Sequence, residues 1–436
     1  MRNSMKFLKF FAFMLALAFA ACSSDSGTIS NGDPGNPDNP DNPNNPDNPD
    51  NPNPPSGGGT IYFPANKNPD AASAFYNGWM ANFYVTFGEE VSPADEIYYS
   101  DDLLPLLRQS ARIKFDQPTE TVSEGIGYGM LVAVFQGDQA RFNALMNYYL
   151  AFRYGPAAGD YYMKWKVTGF KTGKGSSASD ADLDIAASLL IAHEKWGSTE
   201  AANYLQHGIN EASSIMAKEV NPESHLIVPA NDGPKLSTGA VYNISYFSLV
   251  AIKLFSMYDT QRADQWNQVL ESTIAYMKKV QDAGNGLWPD WCDINGTPTD
   301  PENGSSTGLR NDSWGLEGIR IPWRLVWYYS WFGDDRVKEM IQKAAAFAVD
   351  VTGGDIKMMI SRYNYQGEVN KSGIGIGSAG HMGAFCSLTM IDPQYADFLN
   401  TCNQVVLDTP LGSGTIYFTP SIQLLYLQLL NGIMAR

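Results

Sequence analysis

An all-α domain is what this 436-residue chain predicts, and three observations predict it. Apolar residues recur at three- and four-residue spacing through about a dozen stretches, as in Leu183, Ala186, Ala187, Leu190 and Ile191. No alternation of strand and helix patterns accompanies them, which disfavours a parallel sheet. Two long connections, residues 154–179 and 285–314, are rich in Gly, Asn, Asp and Trp. Loops of that kind gather at one end of a helical scaffold and build a cleft there.

The elements are expected in this order. Arg2, Lys6 and Lys9 precede an apolar run, 10–21, too short to span a bilayer as a mature helix, so residues 1–21 read as a cleaved export signal. The run ends Phe19-Ala20-Ala21-Cys22, which resembles a bacterial lipobox with Phe where Leu is usual; Cys22 is the expected lipid attachment site. Asn/Pro/Asp repeats then fill 31–55 and close with Ser56-Gly57-Gly58-Gly59. These repeats offer no apolar side chain to offset ordering entropy, and residues 22–59 are expected to be an extended, disordered tether. The folded domain is expected over 60–436, with helices at 71–87, 129–135, 138–153, 181–196, 201–220, 246–258, 263–281, 318–332, 335–349, 379–390, 393–406 and 421–434. Gly59-Thr60-Ile61-Tyr62-Phe63 recurs as Gly414-Thr415-Ile416-Tyr417-Phe418, and both copies read as short strands.

Thirty Lys and Arg face 46 Asp and Glu, a net charge of −16, and six of the acids (Asp25, Asp33, Asp38, Asp41, Asp47, Asp50) lie in the tether. That balance argues against nucleic acid, which needs clustered basic residues, and is compatible with a neutral polysaccharide. His193, His207, His225 and His381 are scattered without metal-ligand spacing, so neither a metal nor a cofactor is expected. Beyond Cys22 there remain Cys292, Cys386 and Cys402; one pair, Cys386 with Cys402 for instance, is open in an oxidising compartment. A monomer is expected, touching a membrane only through its lipid.

Two acidic helix mouths carry the chemistry. Glu124 sits in Ser123-Glu124-Gly125-Ile126-Gly127-Tyr128-Gly129-Met130, among glycines that let another surface approach the backbone. Asp180-Ala181-Asp182-Leu183-Asp184 opens a later helix, with Asp180 and Asp184 on one face and Asp182 pointing elsewhere. Acids at helix starts are also ordinary caps favoured by the helix dipole, and spacing alone leaves both readings open. In an aromatic-rich chain with few histidines, the combination points to acid/base work on a sugar polymer.

These residues carry a family resemblance. The Glu124 segment is similar to the catalytic-acid motif of glycoside hydrolase family 8, and residues 178–192 followed by Trp196 fit that family's signature throughout. Lys164-Trp165-Lys166-Val167, Asn243-Ile244-Ser245-Tyr246-Phe247 and Arg320-Ile321-Pro322-Trp323-Arg324 follow in the family's order. The resemblance implies an (α/α)6 barrel and an inverting endo-hydrolase of β-1,4-linked glycans. It implies Glu124 as the general acid and Asp180 as the group that holds the sugar ring at the cleavage point.

The chain departs from the family's pattern at the general base. The family's main subgroup has Tyr-Asp-Ala-x-Arg, whereas Leu316-Glu317-Gly318-Ile319-Arg320 stands here, so Glu317 takes the Asp position. Glu is chemically competent, but its extra methylene moves the carboxylate. Glu317 is the first choice of base; Asp290, Asp293 and Asp312, on the long loop, are the alternatives.

Sugar faces stack on aromatic rings. Trp165, Trp288, Trp291 and Trp314 fall in expected loops, where exposure is expected, and Trp165 is the best single platform. Tyr128, Tyr246, Arg320, Trp291 and Tyr417 are further candidate substrate contacts, while Trp323, Trp327 and Trp331, at helical spacing, read as core. Cellulose-like β-glucan is the first expected substrate, xylan the second and chitosan the third. The rival reading is a non-catalytic surface glycan-binding lipoprotein on the same barrel.

Overall fold

The computed structural model describes residues 57–155, 160–231, 241–299, 313–365, 375–412 and 416–436; the leader, Cys22, nearly all of the tether and Asp312 lie outside the described residues. Among the described residues, twelve long helices form the frame. They are α1 (Pro69–Phe83), α2 (Ser123–Gln136), α3 (Gln139–Ala151), α4 (Ser179–Trp196), α5 (Tyr204–Lys218) and α6 (Leu249–Tyr258). The second half adds α7 (Ala263–Asp282), α8 (Ile321–Phe332), α9 (Asp335–Val351), α10 (Ala379–Leu388), α11 (Ala396–Asp408) and α12 (Phe418–Leu430).

The even-numbered helices close a ring: α2 packs on α4, α4 on α6, α6 on α8, α8 on α10, α10 on α12, and α12 back on α2. Each odd-numbered helix lies outside, α3 on α2, α5 on α4, α7 on α6, α9 on α8, α11 on α10 and α1 on α12. This is the expected (α/α)6 barrel. The inner helices are buried all round, as in α4, where every residue from Ser179 to Ala192 is buried. The outer ones are amphipathic, burying one stripe such as Val337, Met340, Ile341, Ala344, Ala345 and Ala348 of α9.

The two rings also differ in how their helices begin. Four outer helices are capped by a side chain: Asn68 accepts from the Ala71 N–H, Asp138 from Arg141, Asn203 from Gln206 and Asp334 from Arg336. Five inner helices (α2, α4, α6, α8 and α12) have no side-chain cap. A carboxylate in the first turn of such an uncapped helix is favoured by its free N–H groups and dipole. Glu124 and Asp180 occupy the first turns of α2 and α4.

Short antiparallel ribbons lie in the connections between helices. Glu120–Val122 pairs with Lys166–Thr168, which pairs with Thr172–Lys174. Val241–Asn243 pairs with Trp291–Asp293, placing Asn243 opposite Trp291, and Ser313–Trp314 pairs with Tyr363–Asn364. Cys386 and Cys402 form a disulfide between α10 and α11, and Cys292 is a buried free thiol.

Two expectations are corrected. Gly59-Thr60-Ile61-Tyr62-Phe63 is not a strand: the Gly59 N–H donates to the Tyr329 carbonyl and the Tyr62 N–H to that of Met390, so this segment satisfies carbonyls at the closed end of the barrel instead of pairing with another strand. In its echo, Gly414 and Thr415 lie outside the described residues and Phe418 opens α12. The fold also begins before the expected end of the tether at Gly59. A Cβ on Gly58 would lie 2.3 Å from the Ser330 carbonyl oxygen, and one on Gly59 2.3 Å from the Tyr329 ring. These glycines serve close approach to the end of α8 rather than flexibility.

Candidate active site

The cleft is organised around one guanidinium. Arg320, 2 % exposed just ahead of α8, donates from Nη1 to Glu124 Oε2 at 2.8 Å and to Asp180 Oδ2 at 2.7 Å. Its Nη2 donates to Glu317 Oε2. The three carboxylates named from sequence therefore meet on one cation, although 56 residues separate the first two and 137 the last two. Charge-assisted bonds of this type fix both distance and orientation.

Glu124 is placed by the strand that precedes it. Val122 pairs with Lys166, and the Ser123 N–H donates to the Trp165 carbonyl at 2.8 Å, so Trp165 sits beside the start of α2. The Glu124 carboxyl also accepts from the Tyr417 hydroxyl at 3.0 Å and from that of Tyr128 at 3.5 Å. Burial pushes it up to about 7; the Arg320 guanidinium opposes that shift, and the negative charges of Asp180 and Glu317 add to it. Near neutrality this carboxyl holds its proton for a substantial share of the time. Asp180 is likewise raised, chiefly by burial and against the pull of Arg320. Its Oδ1 is buried and accepts no hydrogen bond among the described residues.

The glycines of the Glu124 segment have a packing role. A Cβ on Gly127 would lie 3.1 Å from the Ala181 carbonyl oxygen and 3.2 Å from the Asp184 Cβ. The surface that approaches this backbone is α4, so the two acid-bearing helices are held in contact. Asp184, on the same face of α4 as Asp180, forms a two-pronged pair with Arg324 of α8 at 2.5 and 2.7 Å, both partners 1 % exposed. Asp182 points outward, as expected. It accepts from the Met163 N–H at 2.9 Å; burial raises it, and the negative charge of Glu211, another buried carboxyl, raises it further.

Glu317 Oε2 also accepts from Asn243 Nδ2 at 2.7 Å, and Asn243 is itself pinned by the Ser245 N–H and hydroxyl at 3.0 and 2.7 Å. Of the alternative bases, Asp293 is committed to its own turn, accepting from the Asn295 and Thr297 N–H groups at 2.9 and 2.8 Å. Asp290 is 3 % exposed beneath the Glu317 turn. Among the described residues no three His, Cys, Asp or Glu side chains are grouped to hold a metal ion.

The aromatic candidates divide in two. Trp165 is 46 % exposed, with Lys166 Nζ 5.0 Å from its ring. Tyr246 and Trp291 are partly exposed with ring centres 6.1 Å apart, and the Arg320 guanidinium lies 5.1 Å from the Tyr246 ring. Tyr128 and Tyr417 are buried, so they offer Glu124 their hydroxyls rather than a stacking face. Trp288 and Trp314 are fully buried, contrary to expectation: the Trp288 indole N–H donates to the Met277 carbonyl, and Trp314 packs on Tyr363 and Phe385. Trp323, Trp327 and Trp331 are core, as their spacing predicts. Asn243 and the Asp184–Arg324 pair were not singled out; the side-chain pattern gives no signal for either beyond their place inside the motifs.

A double helical ring whose open end gathers an acid raised toward neutrality, two further carboxyls and one guanidinium defines a carboxylate-centred cleft protein. The chain belongs to the glycosyl hydrolases family 8, whose sequence model matches residues 78–431. It is 32 % identical over 336 residues to Endoglucanase A of Acetivibrio thermocellus, covering 74 % of this chain and 64 % of that protein. It is 30 % identical over 327 residues to Endoglucanase 2 of Ruminiclostridium josui, covering 74 % and 66 %. The chain thus spans about two thirds of the length of these relatives. The fold matches the apo structure of a β-1,3-1,4-glucanase from Paenibacillus sp. X4, with a TM-score of 0.73, 23 % identity and coverage of 86 % of this chain and 96 % of that one.

Proposed function

We propose that this protein is an inverting hydrolase that cuts internal β-1,4 bonds of a neutral polysaccharide, β-glucan first and xylan second. One observation carries the reading: Glu124, raised to about 7 by burial, shares the Arg320 guanidinium with Asp180 and Glu317. The names of the relatives support glucan as the first substrate.

In this mechanism protonated Glu124 gives its proton to the glycosidic oxygen as the bond to the anomeric carbon breaks. A water attacks that carbon from the opposite face, and its proton passes to the Glu317 carboxylate. Inversion requires room for this water, about 6.5–9.5 Å between the carboxyls. Glu124 and Glu317 are held on different nitrogens of Arg320. Asp180, held beside Glu124 on the same Arg320 nitrogen, orients the ring being cleaved. Trp165, Tyr246 and Trp291 give neighbouring sugars apolar faces.

The test is reducing-end release from β-glucan, xylan and chitosan by the parent, Glu124→Gln and Glu317→Gln. The parent cuts one polymer and each variant loses several orders of magnitude. A parent that retains glycan on a column and releases no reducing ends from any of the three overturns the reading in favour of a binding protein. We propose further that residues 1–21 are removed and that Cys22 carries lipid, holding a monomeric domain at a bacterial membrane by residues 22–59. Cys22→Ala then moves the protein from the membrane fraction to the soluble one; an unchanged distribution contradicts the anchor.

A further inference from the structure

We propose that Asp290 is a positioning residue: its carboxyl clamps the turn that carries Glu317 and so fixes where the Glu317 carboxylate meets Arg320 and Asn243. The inference rests on the reading of Glu317 as the base.

Asp290 Oδ1 accepts two backbone N–H groups, those of Gly315 and Gly318, each at 2.8 Å. These two residues bracket Leu316-Glu317, so the clamp closes on both sides of the base. Besides the Glu317 side-chain contacts and the Tyr426 hydroxyl on the Ile319 carbonyl, few bonds among the described residues hold this turn. Leu316 is 41 % exposed, and the internal backbone bonds are Ile319 N–H to the Gly315 carbonyl and Arg320 N–H to the Glu317 carbonyl, both at 3.0 Å.

The two glycines let the turn pack closely, Gly315 against Asp290 and Gly318 against Trp314. A Cβ on Gly315 would lie 3.1 Å from Asp290 Oδ2, and one on Gly318 2.4 Å from the Trp314 indole. Asp290 is anchored in turn, its N–H donating to the Ser313 carbonyl at 2.9 Å. The next residue, Trp291, pairs in register with Asn243, the other ligand of Glu317. One short segment therefore sets both the turn under Glu317 and the amide that faces it. Asp290 is poorly placed to be the base itself. It is buried, one oxygen is committed to two donors, and the carboxyl is pushed up to about 7 by burial and then by the Glu317 charge.

The test compares Asp290→Ala and Asp290→Asn in the full-length protein, with two readouts. Asn keeps an oxygen that can accept both N–H groups; Ala keeps none. Hydrogen exchange of the segment 313–320 is at least about tenfold faster in Asp290→Ala and close to the parent in Asp290→Asn. On β-glucan, kcat falls about 10²-fold in Asp290→Ala with KM within about threefold, and Asp290→Asn recovers all but about fivefold. The pH profile of Asp290→Asn loses whatever inflection the 290 carboxyl contributes, leaving Glu317, Arg362 and the Cys292 thiol as the groups facing that position.

Unchanged exchange in Asp290→Ala overturns the clamp. Faster exchange with unchanged kcat overturns its role in placing Glu317. Slow exchange with Asp290→Asn as inactive as Glu317→Gln makes the 290 carboxyl a chemical participant, which also overturns the proposal. If the parent itself hydrolyses nothing, the hydrolase reading fails separately while the exchange comparison still decides the clamp.

Discussion

Glu317→Asp gives the chain the residue that the family's main subgroup carries at this position, yet it is predicted to slow the enzyme. Removing one methylene retracts the carboxylate by about 1.5 Å, one carbon–carbon bond. Asn243 Nδ2, now 2.7 Å from Oε2, is left near 4 Å, outside hydrogen-bond reach, and the Arg320 Nη2 contact opens as well. A misplacement of about 1 Å costs on the order of 10²-fold in rate, equivalent to about 2.7 kcal/mol of barrier. Initial rates of reducing-end release from β-glucan are the assay. The drop is expected in kcat, with KM little changed, because Trp165, Tyr246 and Trp291 are untouched. A Glu317→Asp variant as fast as the parent or faster refutes the reasoning, since position 317 would then accept the shorter base without loss.

Three further outcomes are expected. Because Glu124 titrates at about 7, kcat/KM falls as pH rises through that value; Tyr417→Phe removes a donor that holds Glu124 down, so the alkaline limb in initial-rate profiles moves to higher pH. The buried trio Asp182, Glu211 and Glu219 is raised by desolvation, so the native state keeps protons that the unfolded chain releases above about pH 4. Their stabilisation is fullest below that pH and declines as pH rises, by about 1.4 kcal/mol per pH unit for each group still protonated in the native state; Glu219→Gln flattens the fall of Tm between pH 5 and 8. Tyr149, Arg153, Ser177 and Asp180 are the other groups acting on this trio. Finally, Asp184→Asn leaves Arg324 buried without its counter-charge and costs about 3–5 kcal/mol, read from the shift of the denaturation midpoint.

The outer ring was legible because each outer helix buries one stripe, as the heptad-like pattern of α9 shows. The inner ring lacks such a stripe. Its helices are buried on every side, and motifs located them better than periodicity did. The start of α2 is the instructive case. The spacing suggested a helix from Gly129, whereas it begins at Ser123, because three glycines lower local helix propensity, one of them, Gly127, letting α4 approach. The same ambiguity moved the domain's beginning: Gly58 and Gly59 read as linker and are contact residues. Burial of Trp288 and Trp314 was hidden because loop membership says nothing of what folds over the loop. The family resemblance implied the roles of Glu124, Asp180 and Glu317, but their convergence on Arg320, read from sequence as a substrate contact, and the share taken by Asn243, Tyr417 and Asp290 depend on ribbons and turns that no spacing rule encodes.

The most direct test of the central claim is the anomeric form of the first product. Proton NMR of a β-1,4-gluco-oligosaccharide digest, recorded within minutes of adding enzyme, separates α from β reducing ends before they equilibrate. An acid–base pair acting through water, with Glu124 and Glu317 held on different nitrogens of Arg320, predicts the α-anomer first. Initial accumulation of the β-anomer would mean a covalent glycosyl-enzyme and would contradict the account.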